Sequence, residues 1–154
     1  MGMYSFMYER YCLFRIIGNM RKLCVGDTYE NRVTFSQKDV ILFSQITGDT
    51  NPIHINQEFA SKSVFGRLVV HGMYAGCSFS RVLGTIFPGE GSINLYREFT
   101  FIRPVFVNEE YTMFFKIVGI DTTNHIGTLK CRLKNKEGKI CIDCLTRLKN
   151  EERF

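Results

Sequence analysis

The feature that most constrains this chain is a long stretch, residues 70–86, in which apolar and small residues dominate. It is the longest helical candidate, and its apolar residues fall on every side of the helix. A helix of that kind is expected to be buried, and its small residues allow close backbone approach. Pro88 and Gly89 end the segment. The small residues are Gly72, Ala75, Gly76, Cys77 and Gly84.

After this helix the apolar pattern changes to a period of two, which is typical of β-strands. Strands are predicted over residues 92–102, Glu110–Asp121 and 128–134, followed by a turn at 135–138 and a last strand. In the third strand, apolar residues alternate with Lys130, Arg132 and Lys134, which separates an inner from an outer face. The last strand is expected to turn these residues inward: Ile140, Ile142, Cys144, Thr146 and Leu148.

The segment before the long helix also has clear boundaries. A strand ends near residue 35, and Ser36 is placed to cap a helix with Asp39 in the capping-box position. Gly48 is a fitting stop for that helix, and Pro52 keeps Asn51 out of helical geometry. A short helix is expected over residues 56–62.

The order is therefore a strand, two or three helices, and four strands joined by short turns. This order predicts an α+β fold with the helices on one face of an antiparallel sheet. A buried central helix against a curled antiparallel sheet is the hotdog arrangement. With 154 residues the chain fits one domain. We expect it to cover residues 20–154, with residues 1–19 as an extension of uncertain status, because Met20 opens a stretch typical of a domain start.

The net charge is +5, and the excess lies late, with seven Lys/Arg in residues 130–149 against Glu137 and Asp143. This stretch is either the solvated face of a hairpin or a surface for a nucleic acid, an anionic lipid or a phosphorylated cofactor. We favour the solvated face, because no RNA-binding aromatic motif accompanies the charges. The longest uncharged apolar run, 68–80, is too short to cross a bilayer, so no membrane role is expected.

The chain has six cysteines, which lie among apolar neighbours and follow no secretory signal. Free thiols in a reducing compartment are the expected state, and the predicted location is the cytoplasm, or the mitochondrion in a eukaryote. Cys141 and Cys144 form a CxxC pair. Residues three apart on a strand point to opposite faces, so we expect one core and one surface thiol and no metal site.

The densest polar cluster is TGDTNPIH, residues 47–54. On a continuous helix Asp49 and His54 would diverge, but an Asn-Pro turn can bring the carboxylate and the imidazole back together. Such a pair can hold one water and transfer its proton, which is general acid–base chemistry. The alternative is an Asx-turn with an unrelated surface histidine.

This cluster lies within FSQITGDTNPIH, residues 43–54, which resembles the signature of the MaoC-like (R)-specific enoyl-CoA hydratases, or hydratase 2 family. The similarity continues through FGR at 65–67, VHGM at 70–73, PGEGSI at 88–93 and FIRPVFV at 101–107. It covers roughly residues 24–149. The resemblance implies a carbon–oxygen lyase that hydrates trans-2-enoyl thioesters to (R)-3-hydroxyacyl thioesters in fatty-acid metabolism, or runs the reverse dehydration.

The resemblance also implies roles for individual residues. Asp49 and His54 match the pair that activates the water. Gly72 matches the glycine whose N–H polarises the thioester carbonyl, and a free N–H at a helix N-terminus suits developing negative charge. Ser80 matches a serine near the active site, although it could instead bond to its own helix backbone. Tyr74 would shorten the acyl tunnel if it faces it.

Two neighbouring polar residues are expected to be mainly structural: Asn51 shapes the turn and His71 starts the helix. The expected substrate is an acyl-CoA or acyl-carrier-protein thioester, with no metal or redox cofactor. The resemblance implies a homodimer, because hotdog proteins usually pair through their sheets. Two rival functions remain open. A hotdog thioesterase often uses a carboxylate on the central helix, and residues 70–86 contain none. A non-catalytic acyl-thioester or nucleic-acid binding module would use the basic last hairpin.

Overall fold

The computed structural model describes residues 21–154, and the proposed extension at 1–19 lies outside the described residues. Five strands and four helices alternate in the order β1, α1 to α4, β2 to β5. Their bounds are β1 Thr28–Thr34, α1 Gln37–Thr47, α2 Pro52–Ile55, α3 Gln57–Ser61, α4 Gly72–Thr85, β2 Ile93–Phe101, β3 Glu110–Asp121, β4 Ile126–Lys134 and β5 Ile140–Lys149.

The strands form one antiparallel sheet in the order β1-β3-β4-β5-β2, which confirms the predicted α+β class. Alternate residues of the strands turn inward as the period of two predicted, and Leu129, Cys131 and Leu133 are completely buried. The inner face of the sheet packs against α4 through Ala75, Phe79 and a further set of apolar side chains. The core is thus a single layer between one helix and one sheet.

Helix α4 corrects one expectation. It was predicted to be buried on every side, but in the single chain only the side toward the sheet is covered. Met73 is 54% exposed, and Cys77, Ser80 and Arg81 on the same side are exposed as well. A sheet offers a lone helix only one packing surface, so the opposite face of α4 remains open. The helix also begins at Gly72, two residues later than predicted.

The small residues of α4 act as predicted, because they let β2 approach the helix. A Cβ built on Gly72 would lie 3.0 Å from a ring carbon of Phe101, and one on Gly76 would lie 3.1 Å from a ring carbon of Phe99. Gly72 and Gly76 are one helical turn apart, and Phe101 and Phe99 are alternate residues on one face of a strand. The two rings therefore occupy the grooves left by the two glycines.

The local signals before α4 also match the structure. Ser36 caps α1 by accepting a hydrogen bond from the Asp39 backbone N–H, and Gly48 ends the helix in the left-handed conformation at φ 77°. The additional short helix α2 was not predicted as an element. It begins with Pro52 at its first position, where the missing N–H costs nothing.

The CxxC pair gives a second correction. Cys141 and Cys144 are both buried, at 1% and 3% exposure, so neither is a surface thiol. Cys144 faces Cys131 across β4 and β5 in the core. Cys141 belongs to the apolar core cluster, and the backbone N–H groups of Ile102 and Arg103 donate to its carbonyl, which holds the segment after β2 beside the start of β5. All five described cysteines are free thiols, as expected.

Three of the seven cations in the basic stretch, Arg132, Lys139 and Lys149, are ion-paired in the described part of the chain. Arg132 Nε lies 2.9 Å from Asp143 Oδ1, and Lys139 Nζ lies 3.1 Å from Glu137 Oε2. No helix in residues 21–154 is long and apolar enough to span a membrane.

Candidate active site

The turn between α1 and α2 places Asp49. Gly48 ends α1, after which the Asp49 Oδ1 accepts from the Asn51 backbone N–H at 3.3 Å. The Asn51 Oδ1 in turn accepts from the N–H of Ile53, also at 3.3 Å, and so caps α2. Asn51 therefore shapes the turn, as the sequence indicated. The Asp49 side chain is left half exposed, at 52%.

Helix α2 carries His54 back toward Asp49. The His54 Nδ1 lies 2.8 Å from the carbonyl oxygen of Val69, and since a carbonyl only accepts, Nδ1 carries the proton. The Nε2 of the neutral ring is then left with a free lone pair. Burial lowers the pKa of His54, and the neighbouring His71 acts in the same direction. The ring is thus held neutral and oriented as a base.

His71 lies directly beside this pair, which the sequence did not indicate. Its ring is 2% exposed and stacks on His54 with the centroids 3.8 Å apart. The His71 Nε2 lies 3.1 Å from the carbonyl oxygen of Asp49 and 3.2 Å from the Oγ of Ser44. Because that carbonyl can only accept, Nε2 is the protonated nitrogen and Nδ1 is left without a partner.

Ser44 was missed by sequence reasoning. It is a polar residue on the buried face of α1, one turn after the buried Val40, and it is 3% exposed. A polar side chain at a core position must find a partner, and that rule could have pointed to it. Together Ser44 and the Asp49 carbonyl fix the orientation of the His71 ring.

The ligand atoms of Asp49, His54 and His71 lie within 4.8 Å of one another, so they are also the candidate metal ligands in the described part of the chain. The His54 Nδ1 and the His71 Nε2 are already engaged with backbone carbonyls, which leaves one nitrogen free on each ring. The same arrangement can hold a small hydrogen-bonded molecule such as water beside the His54 lone pair.

Gly72 is the first residue of α4, immediately after His71. The His71 side chain makes no capping hydrogen bond to the helix, and the first N–H groups of a helix have no partner within it. Gly72 is also exposed. The structure therefore presents backbone donors, at the positive end of the helix, beside the Asp49, His54 and His71 cluster.

The other two predicted substrate residues lie in different surroundings. Tyr74 is half-buried and stacks on Phe43 with the ring centroids 5.2 Å apart, while its edge meets Phe35. Ser80 accepts a hydrogen bond from Arg97 of β2. Ser80 is eight residues along α4 from Gly72, about 12 Å at the helical rise, so it is not brought into the Asp49 cluster.

The fold, with one helix laid along an antiparallel sheet and a carboxylate and imidazole at the helix start, is that of hotdog enzymes. The chain matches the model of the MaoC like domain over residues 25–137. It is 33% identical over 122 residues to the (R)-specific enoyl-CoA hydratase of Aeromonas caviae, covering 79% of this chain and 91% of that protein. It is 39% identical over 85 residues to the 3-hydroxybutyryl-CoA dehydratase of Methylorubrum extorquens, covering 55% and 54%.

The solved structure of the (R)-hydratase from A. caviae superimposes with a TM-score of 0.81 at 31% sequence identity, covering 85% of this chain and 99% of that one. This confirms the predicted hotdog fold. The chain belongs to the MaoC-like family.

Proposed function

We propose that this chain is a carbon–oxygen lyase that hydrates trans-2-enoyl thioesters to (R)-3-hydroxyacyl thioesters, or catalyses the reverse dehydration. The observation that carries the proposal is the neutral, oriented His54 beside the Asp49 carboxylate at the N-terminus of α4. Its family and its similarity to the A. caviae (R)-specific hydratase support the same reaction.

In the hydration direction, a water is held between the Asp49 carboxylate and the His54 Nε2. His54 takes one proton from this water as the oxygen adds to the β-carbon of the enoyl thioester. The other water proton stays on the new hydroxyl group. The α-carbon receives a proton back from the Asp49–His54 pair, so that one water is added in full. The reaction uses no metal or redox cofactor.

As the oxygen adds, negative charge develops on the thioester oxygen. The backbone N–H of Gly72 lies at the N-terminus of α4, where unpaired donors and the helix dipole favour negative charge. The absence of a side chain at Gly72 lets the Phe101 ring pack against the start of α4, where the backbone donors lie. Asn51 holds the turn between Asp49 and His54, and we assign Tyr74 and Ser80 to substrate binding further along α4.

The substrate is an acyl-CoA or an acyl-carrier-protein thioester, and the working form is a homodimer. Support for pairing comes from β2, which lies at the edge of the sheet and carries exposed apolar side chains. Ile93, Leu95 and Ile102 in and beside this strand are 60%, 50% and 47% exposed. An apolar edge of this kind is typically covered by another chain. The free thiols suit the cytoplasm, or the mitochondrion in a eukaryote.

The test is to mix the purified protein with crotonyl-CoA, follow the loss of enoyl-thioester absorbance, and determine the stereochemistry of the product. Asp49→Asn and His54→Gln should each lower turnover by roughly 10²–10⁴-fold. His125→Gln is the matched control, because His125 lies at the far end of the sheet, bonded to the Phe154 carbonyl. Wild-type rates in both site variants would refute the mechanism, and thiol release from a saturated acyl-CoA would point to a thioesterase.

A further inference from the structure

A second concave site lies behind the segment that orients His54. It is a cavity of about 280 Å³ between the loop after β2 and the turn from β4 to β5. Its walls include Arg67, Arg103, Phe106, Glu109 and Lys136. The catalytic residues do not line it, and the mechanism above leaves it unused.

The cavity is electropositive because its acids are already neutralised. Glu109 Oε1 lies 2.6 Å from an Arg67 nitrogen, and Glu137 is paired with Lys139. In the described part of the chain, neither Arg103 nor Lys136 has a carboxylate within ion-pair distance; Arg103 instead donates to the Ile140 carbonyl. Two cations therefore face the cavity without a charged partner.

The aromatic floor of the cavity is rigid. The Arg67 guanidinium lies over the Phe106 ring, with its carbon 3.6 Å from the ring centroid. The Tyr111 hydroxyl accepts from the Phe106 backbone N–H, and burial raises the pKa of Tyr111 to about 12, so it remains protonated. Cationic side chains therefore lie next to this aromatic floor, and cations suit a multiply charged anion such as a phosphate ester.

The cavity is also close to the catalytic cluster. Phe106 pairs with Val69 in an antiparallel bridge, and the carbonyl of Val69 accepts from His54 Nδ1. Neighbouring strands are about 4.8 Å apart, so the Phe106 wall is on the order of 10 Å from the His54 ring. A pantetheine arm contains three units, each at least as long as an amino-acid residue, which spans roughly 3.3–3.6 Å when extended, so the arm is long enough to bridge that gap.

We propose that this cavity binds the phosphate group at the far end of the pantetheine arm, with Lys136 and Arg103 as its cationic partners. This inference rests on the proposed function. The phosphate chemistry is common to coenzyme A and to the prosthetic group of a carrier protein. By holding the phosphate, the cavity would position the thioester at the other end of the arm beside Gly72.

The variants are Lys136→Ala, on an exposed turn, and Arg103→Gln, which can still donate to the Ile140 carbonyl. Lys130→Ala is the matched control, since it removes the same charge from the outer face of β4, away from the cavity. Steady-state rates are measured with crotonyl-CoA, crotonyl-pantetheine, which lacks phosphate, and a crotonyl carrier protein. Binding of free coenzyme A is measured separately by calorimetry.

Each cavity variant is expected to raise KM for crotonyl-CoA about tenfold, with kcat little changed, and to weaken coenzyme A binding by the same factor. Rates with crotonyl-pantetheine should stay at the wild-type level. A parallel rise with the carrier protein supports the phosphate next to pantetheine as the occupant. A rise with coenzyme A alone overturns that assignment in favour of the phosphates at the nucleotide end.

The proposal is overturned if the cavity variants behave like Lys130→Ala, or if they affect crotonyl-pantetheine as strongly as crotonyl-CoA. If the wild-type protein turns over none of the thioesters, the proposed function fails instead. The calorimetric comparison then still decides whether the cavity binds coenzyme A.

Discussion

Replacing Gly72 by alanine separates its proposed role in catalysis from its role in packing, because the same helix contains a matched control. A Cβ on Gly72 would lie 3.0–3.4 Å from ring atoms of Phe101, and one on Gly76 would lie 3.1–3.3 Å from ring atoms of Phe99. The two changes add the same methyl group against the same kind of side chain, one helical turn apart. Only Gly72 lies at the helix start beside the catalytic cluster.

The expected stability changes are similar. A contact of 3.0–3.1 Å forces the ring to shift by a few tenths of an ångström, and overpacking of this kind costs roughly 1–3 kcal/mol. Alanine recovers up to about 1 kcal/mol of helix propensity relative to glycine. Each variant should therefore lose roughly 0–3 kcal/mol of unfolding free energy and remain folded.

The expected activities differ sharply. A methyl group on Gly72 is directed at the Phe101 ring, so relieving that contact displaces the start of α4 and its backbone donors. Losing one such donor costs roughly 10²–10³ in kcat. Gly76→Ala should stay within about threefold of wild type, which corresponds to less than 1 kcal/mol in the barrier. The assay is crotonyl-CoA hydration by both variants, with unfolding midpoints as the control. Equal losses of activity in the two variants would refute the catalytic role of Gly72. They would show that the position needs a glycine only for packing against Phe101.

Three further outcomes follow from other parts of the structure. Because burial lowers the pKa of His54, kcat/KM should fall on the acid side with a midpoint below pH 6.5; a midpoint above it would contradict a neutral base. For the same reason, the wild type should lose stability relative to His54→Gln as the pH falls from 6.5 through the lowered pKa, measured by denaturant unfolding. A Cβ on Gly127 would overlap the buried Phe154 ring, so Gly127→Ala should cost roughly 1.5–3 kcal/mol. In a Phe154→Ala background the same change should cost little; an undiminished cost there would exclude the ring as the cause.

The fold was predictable because its signals are local. The period of two fixed the strands, and Ser36 and Gly48 marked the ends of α1, since capping and left-handed stops depend on one residue and its near neighbours. The short helix α2 was missed because four residues give no period to recognise.

The two wrong predictions concern burial, which depends on distant segments. The open face of α4 was predicted to be buried because the helix is apolar on every side. The composition of a helix does not show how many other elements of the chain pack against it. Because side chains alternate along a strand, one of Cys141 and Cys144 was predicted to be a surface thiol, but both belong to the buried core cluster. Neither the exposure of α4 nor the burial of Cys141 can be predicted from the residues adjacent in sequence.

The residues of the candidate site likewise differ in whether they are positioned by local or by distant contacts. Asp49 and His54 were predictable because one Asn-Pro turn brings them together, whereas His71 and Ser44 join them only through the packing of α1 against the start of α4. The orientation of His54 depends on the Val69 carbonyl, and Val69 is itself held by a hydrogen bond from its N–H to the Ile53 carbonyl. These are backbone bonds, which any side chain at position 69 could permit. The property that makes His54 a base is therefore encoded by the path of the chain, and a sequence motif can indicate the residue without showing what orients it.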